Sequence, residues 1–266
     1  MNYWNSAFAI FTIAVFSNQN TNAESVKLRA IQIDGAIPFC CTGDKASPGF
    51  TIDLVNAINK TQKDFEIELQ IVPSKRFYKE LLPQQSFDFV FFQDPKFSFE
   101  GNFKEVSEFG IAGKEIFFSL TKNANDSQYF SDKSIKNKSI AGREGYTYEF
   151  AQNTIKDYDK IYKQFNVSLV NSDEQVVDMV LKGRCQVGVV EYHYLRYQNK
   201  INQDVAKNIF ISKRADSPNF RQMIITRKSK ITAKQLDAIL SKLYKDNTIQ
   251  QIADKYNIEG FRVPAQ

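Results

Sequence analysis

The side chains in this sequence that could do chemistry are few. Cys40, Cys41 and Cys185 are its cysteines and His193 is its one histidine. They make no metal-ligand spacing, so no zinc site is expected. Glu191 closes the apolar run 186–190 (QVGVV). A carboxylate there must meet a cation or a donor, because a buried, unpaired one is costly. Lys75 and Arg76 sit at a helix start, either solvated or suited to an acidic or oxygen-rich ligand. Tyr146 and Thr147 follow Gly145 where another helix begins, and backbone N–H groups gathered there favour an anion. No basic triad, metal set or phosphate loop accompanies these groups. The chemistry they suit is binding rather than catalysis, and no cofactor is expected.

The elements that must hold these groups alternate between strand and helix. Val26–Ile33 alternates as a first strand. The stretch 38–58 (PFCCTGDKASPGFTIDLVNAI) then reads as a Gly/Pro-punctuated loop and a helix with Leu54, Val55 and Ile58 on one face. Segment 66–72 is a second strand. Ser74 can cap a short helix carrying Phe77, Leu81 and Leu82, which Pro83 should stop. The run 87–92 (FDFVFF) suits a strand buried on both faces. This order predicts a parallel sheet with right-handed crossovers, and small ligands bind at the C-terminal edge of such sheets.

Further along, Phe99, Phe103 and Val106 suggest a helical turn or two. Segment 115–121 reads as a strand and 122–138 as a polar loop leaving the first lobe. A second α/β unit begins at Ser139, with Thr147 as a helix cap and 167–170 as a strand. Ser172 and Gln175 have capping-box spacing ahead of Val176, Met179 and Val180. Gly183 ends that helix, before the strand that closes on Glu191. Segments 209–212 and 222–226 read as short strands separated by a Pro-containing turn. Thr232 and Gln235 make a second capping box, with Leu236, Ile239, Leu240 and Leu243 on one stripe. Thr248 opens a third helix in the same way, ending near Tyr256.

Composition fits a globular protein: of 266 residues, 42% are hydrophobic and 24% charged, enough for one large or two modest domains. The formal charge of +5 is dispersed, with no basic run to track a phosphate backbone, so no nucleic-acid partner is expected. Residues 1–23 read as a cleavable signal peptide, with the apolar core 7–16 and a small-x-small site ending at Ala23. No Lys or Arg precedes that core, and the run is well short of the ~20 residues that a membrane span needs. Cys185 lies at the far end of its strand, roughly 20 Å from the loop that carries Cys40 and Cys41. A bridge between them is therefore not expected. Cys40 and Cys41 are either two thiols or a strained adjacent pair.

The order of elements and several local motifs resemble the family 3 periplasmic solute-binding proteins of bacterial ABC importers, the polar amino-acid type. The matching residues are the Pro38-Phe39 turn, Gly49-Phe50-Thr51-Ile52-Asp53-Leu54, Phe87-Asp88-Phe89-Val90 and Gly145-Tyr146-Thr147. Lys182-Gly183-Arg184-Cys185-Gln186-Val187, Val190-Glu191 and the helix pair 243–256 complete the set. The resemblance implies a type II periplasmic-binding-protein-like α/β fold, two lobes closing on one small molecule. Lobe 1 would comprise 24–114 and the return 213–266, and lobe 2 would comprise 115–212.

Carried over residue by residue, the resemblance places an α-carboxylate clamp after the third strand. Its arginine position is Glu100 here, and its hydroxylic positions are Gln93 and Pro95. The clamp is therefore replaced, with Lys96 left as a point charge that lacks arginine's fork. The implied ligand is not a standard α-amino acid. The acid that meets the ligand's amine matches Glu191, with Asp34 as a second acceptor, although a structural ion pair would equally explain Glu191. The aromatic stacking position reads as Lys75, beside Arg76. Tyr146 and Thr147 face the anion, Tyr192 and Tyr194 flank the far side, and Phe39 and Cys40 lie at the cleft lip. The implied function is periplasmic: a monomeric solute-binding protein that hands a small polar ligand to an ABC permease. The alternatives are a sensing binder for a membrane receptor and a cyclohexadienyl-dehydratase-like enzyme with Glu191 as proton donor.

Overall fold

The computed structural model describes residues 25–40, 49–96, 103–124, 127–152 and 159–264. The signal-peptide expectation, Cys41 and Glu100 lie outside them. Among the described residues, no helix is long and apolar enough to cross a membrane.

Strand β1 (Val26–Ile33) pairs in parallel with β2 (Phe65–Val72) and β3 (Phe89–Gln93), with helix α1 (Phe50–Thr61) between the first two. α1 buries Phe50, Leu54, Val55 and Ile58 against the sheet, the face its periodicity predicts. Its first free N–H groups are taken by the loop before it: Phe50 N–H donates to the Pro38 carbonyl (2.9 Å) and Thr51 N–H to the Phe39 carbonyl (3.1 Å). A Cβ on Gly49 would stand 2.5 Å from the Phe39 oxygen, so this close approach needs glycine.

After β2 come α2 (Ser74–Arg76), a π-helical turn (Phe77–Leu81) and α3 (Leu82–Gln84), one wound segment. Pro83 stands inside its last turn, and Gln85, at φ 47°, ends it. The expected turn around Phe103 and Val106 is strand instead at Val106. That residue lies in β4 (Glu105–Leu120), whose Val106 and Ile111 pair with Ile224 and Arg221 of β8 (Ile209–Ile225).

β8 is also a correction. The two short strands expected at 209–212 and 222–226 are one 17-residue strand. Pro218 is tolerated inside it because it pairs with Lys114 of β4 on one side, whereas β3 meets β8 only at Gln222, Ile224 and Ile225. β4 and β8 run antiparallel as the central pair of the sheet, between the β1–β3 side and the β5–β7 side. The expected lobe boundaries at 115 and 213 fall inside these two strands.

Beyond β4 lie the turn Ser127–Phe130, α4 (Asp132–Ile135), β5 (Ser139–Arg143), the turn Glu149–Ala151, α5 (Asp159–Gln164) and β6 (Asn166–Val170). Then follow α6 (Asp173–Leu181), β7 (Val187–Glu191), α7 (Tyr192–Ile201) and α8 (Gln203–Asn208). The sheet runs β2-β1-β3-β8-β4-β7-β5-β6, with β9 (Phe261–Arg262) on β4.

Helices α9 (Ala233–Lys245) and α10 (Thr248–Tyr256) return to the β1–β3 side. There Leu236, Leu240, Leu243, Ile249 and Tyr256 join Phe39, Phe50 and Phe92 in one core. The capping box at Thr232 is present in full. Thr248 makes no such box, since Asn247, at φ 64°, holds the cap position with no side-chain bond. A second set of cores, around Ile116, Phe118 and Val176 and around Phe117, Phe130 and Ile140, belongs to the β5–β7 side.

Candidate functional site

The C-terminal ends of β1, β5 and β7, the start of α6 and the middle of β4 and β8 converge between the two halves. In this convergence Glu115, Asp173 and Glu191 are each at most 5% exposed, and Arg143 and Arg221 are mostly buried beside them.

Arg143 is the last residue of β5. Its Nη1 donates to Asp173 Oδ2 (3.2 Å), to the Tyr146 hydroxyl (3.1 Å) and to the backbone carbonyl of Gly35 (3.3 Å). Gly35 follows β1, so this last bond spans the two halves. The guanidinium also lies over the Tyr146 ring, 5.1 Å from its centroid. Burial pushes the Tyr146 hydroxyl well up, with Asp173 adding to the shift.

Glu115 and Glu191 face each other as paired residues of β4 and β7. Like charges directly opposite are unfavourable. The conflict is resolved by unequal environments. Burial first, and then the Glu191 charge, push the Glu115 carboxyl well above its ordinary value, which disfavours its charged form. Burial would raise Glu191 as well, but His193 and Arg221 outweigh it and hold its carboxyl below the usual range.

Glu191 is fully engaged. Its Oε1 lies 2.9 Å from His193 Nδ1 and 3.7 Å from Arg221 Nη2, and its Oε2 accepts the Tyr194 N–H at 3.0 Å, which caps α7. The other His193 nitrogen faces the Glu259 carbonyl at 3.1 Å, so both ring nitrogens face acceptors.

Three side-chain atoms in this region are buried without a hydrogen-bond partner: Asp173 Oδ1, Arg221 Nε and Asn219 Oδ1. Each such atom is destabilising as it stands. Two acceptors and one donor are thus left without partners in the same buried region, which is what a site for a polar molecule requires.

The residues expected from sequence are scattered by comparison. Tyr146 lies in the cluster. Thr147 does not cap a helix: the turn Glu149–Ala151 has Tyr148 at its cap position with no side-chain bond. The N–H groups of Glu149 and Phe150 are already taken by the Asp216 carboxylate, both at 2.9 Å, so a protein group fills the expected anion position.

On the other side, Phe39 is 1% exposed, packs on Phe92 and His193, and carries the Arg221 guanidinium 5.6 Å over its ring. Cys40 is also buried rather than open at a lip. Asp34 accepts the N–H of Gly35 at 2.7 Å. Gln93 ends β3 and bonds the Phe91 carbonyl. The Lys96 N–H donates to Asp94, whose other oxygen accepts from Phe220 on β8. Lys75 and Arg76 are exposed, with Arg76 in a surface pair with Glu80. Tyr192 packs away from the cluster, with its hydroxyl on Glu259 and Lys114 over its ring.

Glu115, Arg143, Asp173, Asn219 and Arg221 are the residues that sequence reasoning missed. The usable signal was positional: Arg143 ends a strand and Asp173 begins the helix already read from its capping box.

No protein-family profile and no curated protein sequence matches the chain. Solved structures do. An ancestral arginine-binding protein bound to arginine superposes with a TM-score of 0.63 at 19% identity, covering 88% of this chain and 99% of that one. The putative binding component of an ABC transporter from Wolinella succinogenes, complexed with lysine, gives 0.67 at 14% identity over 86% and 94%. An ABC uptake transporter substrate-binding protein from Streptococcus pneumoniae with bound histidine gives 0.64 at 13% identity over 86% and 92%. With β4 and β8 crossing between two α/β halves and a buried polar cluster where those halves meet, the chain has the periplasmic-binding-protein-like fold.

Proposed function

We propose that the protein is an exported, monomeric solute-binding protein that captures a small polar ligand by closing its two lobes. It would present the closed form to an ABC permease in the inner membrane. The observation that carries this reading is the convergence of Arg143, Asp173 and Arg221 on one buried place between the lobes, with Asp173 Oδ1 and Arg221 Nε left without partners. Two of the structural neighbours, described as an ABC uptake transporter substrate-binding protein and as a putative binding component of an ABC transporter, support it.

The ligand is a solute other than a standard α-amino acid. The end of β3 offers Gln93, Pro95 and Lys96, while the guanidinium groups come from β5 and β8 instead. Charged ends of a ligand would meet different walls from those of the replaced clamp. The dehydratase reading needs Glu191 to donate a proton, and a carboxyl held below the usual range favours binding over that role.

Native mass spectrometry of the purified mature chain, followed by a thermal-shift screen, tests the proposal. A co-purifying small solute that gives a saturable shift is the expected result. A large shift with any standard amino acid overturns the ligand assignment. Turnover of prephenate or arogenate overturns the binding reading.

A further inference from the structure

The sequence pointed to Glu191 as the group that would meet a cationic part of the ligand, yet both Glu191 oxygens are used within the protein. Asp173 is different. It is 5% exposed, and one oxygen bonds Arg143 while the other accepts nothing. Nor is it needed as a cap, because the Ser172 side chain already accepts the Gln175 N–H at the start of α6. An ionised carboxylate has about four acceptor positions, and leaving one oxygen bare in a buried site costs more than for a neutral group.

We infer that Asp173 is the cation-recognising residue of the cleft, and that the ligand carries a protonated amine or a guanidinium seated on Asp173 Oδ1. This rests on the solute-binding reading above and names the class of solute. Charge-assisted hydrogen bonds are roughly twice as strong as neutral ones, so a cation is the occupant that best offsets the open oxygen. Arg143 does not fill it: its bond to Asp173 runs from Nη1 to Oδ2, and that Nη1 is shared with Tyr146 and Gly35. Burial pushes the carboxyl of the neighbouring acid, Glu115, upward, with Glu191 and Asp173 adding to the rise, which weakens it as a competing charge. The same site can take an anionic end as well, through the open Arg221 Nε.

The test is calorimetric titration and thermal shift of the full mature chain with probes of matched size: agmatine and putrescine as cations, 4-guanidinobutyrate as a zwitterion, glutarate as an anion and glycerol as a neutral. Wild type should bind at least one cationic probe saturably and neither glutarate nor glycerol. Asp173→Asn should lose at least about tenfold in affinity for that probe, and Asp173→Glu should retain more than the asparagine variant. Binding by Asp173→Asn within about threefold of wild type overturns the inference, as does the absence of a saturable shift with every cationic probe. If Asp173→Asn does not fold, the charge preference of wild type decides alone. Binding of glutarate or glycerol without any cation leaves the solute-binding reading standing and removes this one. With no probe bound and no co-purifying solute, both fall.

Discussion

Arg143, at the end of β5, donates across the cleft to the carbonyl of Gly35, at the end of β1, over 3.3 Å. The same Nη1 holds Asp173. One side chain therefore joins the two lobes and orients the carboxylate that we assign to the ligand. A solute seated on Asp173 would steady Arg143, and Arg143 would steady closure. A ligand that interacts better with the closed form shifts the population toward it.

The first prediction concerns that bond. Arg143→Gln removes a charged donor from Gly35 and from Asp173. A hydrogen bond to a charged group contributes about 1.5–3 kcal/mol, so closure should weaken by roughly 10- to 100-fold. Small-angle scattering of the ligand-free variant should show a larger radius of gyration than wild type. Identical scattering curves would remove Arg143 as a closure contact.

Glu191 carries a second expectation. It pairs with His193 and Arg221 and caps α7, all while 3% exposed. Taking one partner from a buried pair costs about 3–5 kcal/mol, so Glu191→Gln should lower the urea midpoint sharply without changing the slope. Because its carboxyl is held below the usual range, its stabilisation is present above the unfolded carboxylate range. That stabilisation is lost as pH falls through the depressed value. A midpoint equal to wild type at neutral pH would show that the pair is replaceable.

The elements built from local signals were legible in the sequence. The buried face of α1, the capping box at Thr232 and the strand ending on Glu191 each depend on residues within a turn or two of one another. The continuity of β8 was not, because Pro218 reads as a turn unless one knows that the strand has a single partner at that position. The polar cluster was the least legible. Glu115, Arg143, Asp173 and Arg221 come from four separate elements, and each alone reads as a solvated charge at an element's end. Their burial is a property of the assembled sheet. Glu191 could be picked out because its own strand is apolar, but its partners could not.

A third prediction follows from Gly113, which sits opposite Asn219 where β4 and β8 cross. A Cβ there would stand 2.3 Å from Asn219 Oδ1 and 3.1 Å from Glu191 Oε1. Asn219 can move, but Glu191 is fixed by His193 and the α7 cap. Gly113→Ala should therefore cost about 1–3 kcal/mol of overpacking, read as a lower denaturation midpoint. An unchanged midpoint would mean that the crossing strands adjust freely at this point.

The last prediction is a pH profile. Burial raises the Asp173 carboxyl from 3.8 to about 6, with Glu191 adding to the rise and Arg143 and Arg221 opposing it. Tyr146, Tyr194 and Glu115 also interact with it, and burial pushes all three upward; the two tyrosines stay protonated as Asp173 titrates. In the ligand-free protein a raised carboxyl binds its proton more tightly when folded than when unfolded. Its contribution to stability is therefore fully present below about 3.8 and is lost as pH rises to about 6. A bound cation requires the ionised form, so ligand affinity has the opposite slope. For agmatine, whose charge does not change in this range, affinity should climb by up to about tenfold per pH unit on the acid side. It should level off above about 6, where Asp173 is already ionised. Calorimetric titrations of wild type from roughly pH 5 to 8 would record this curve. In Asp173→Asn the step should disappear. A wild-type profile that is flat across this range, or that rises toward acid, would place the cation on some other group.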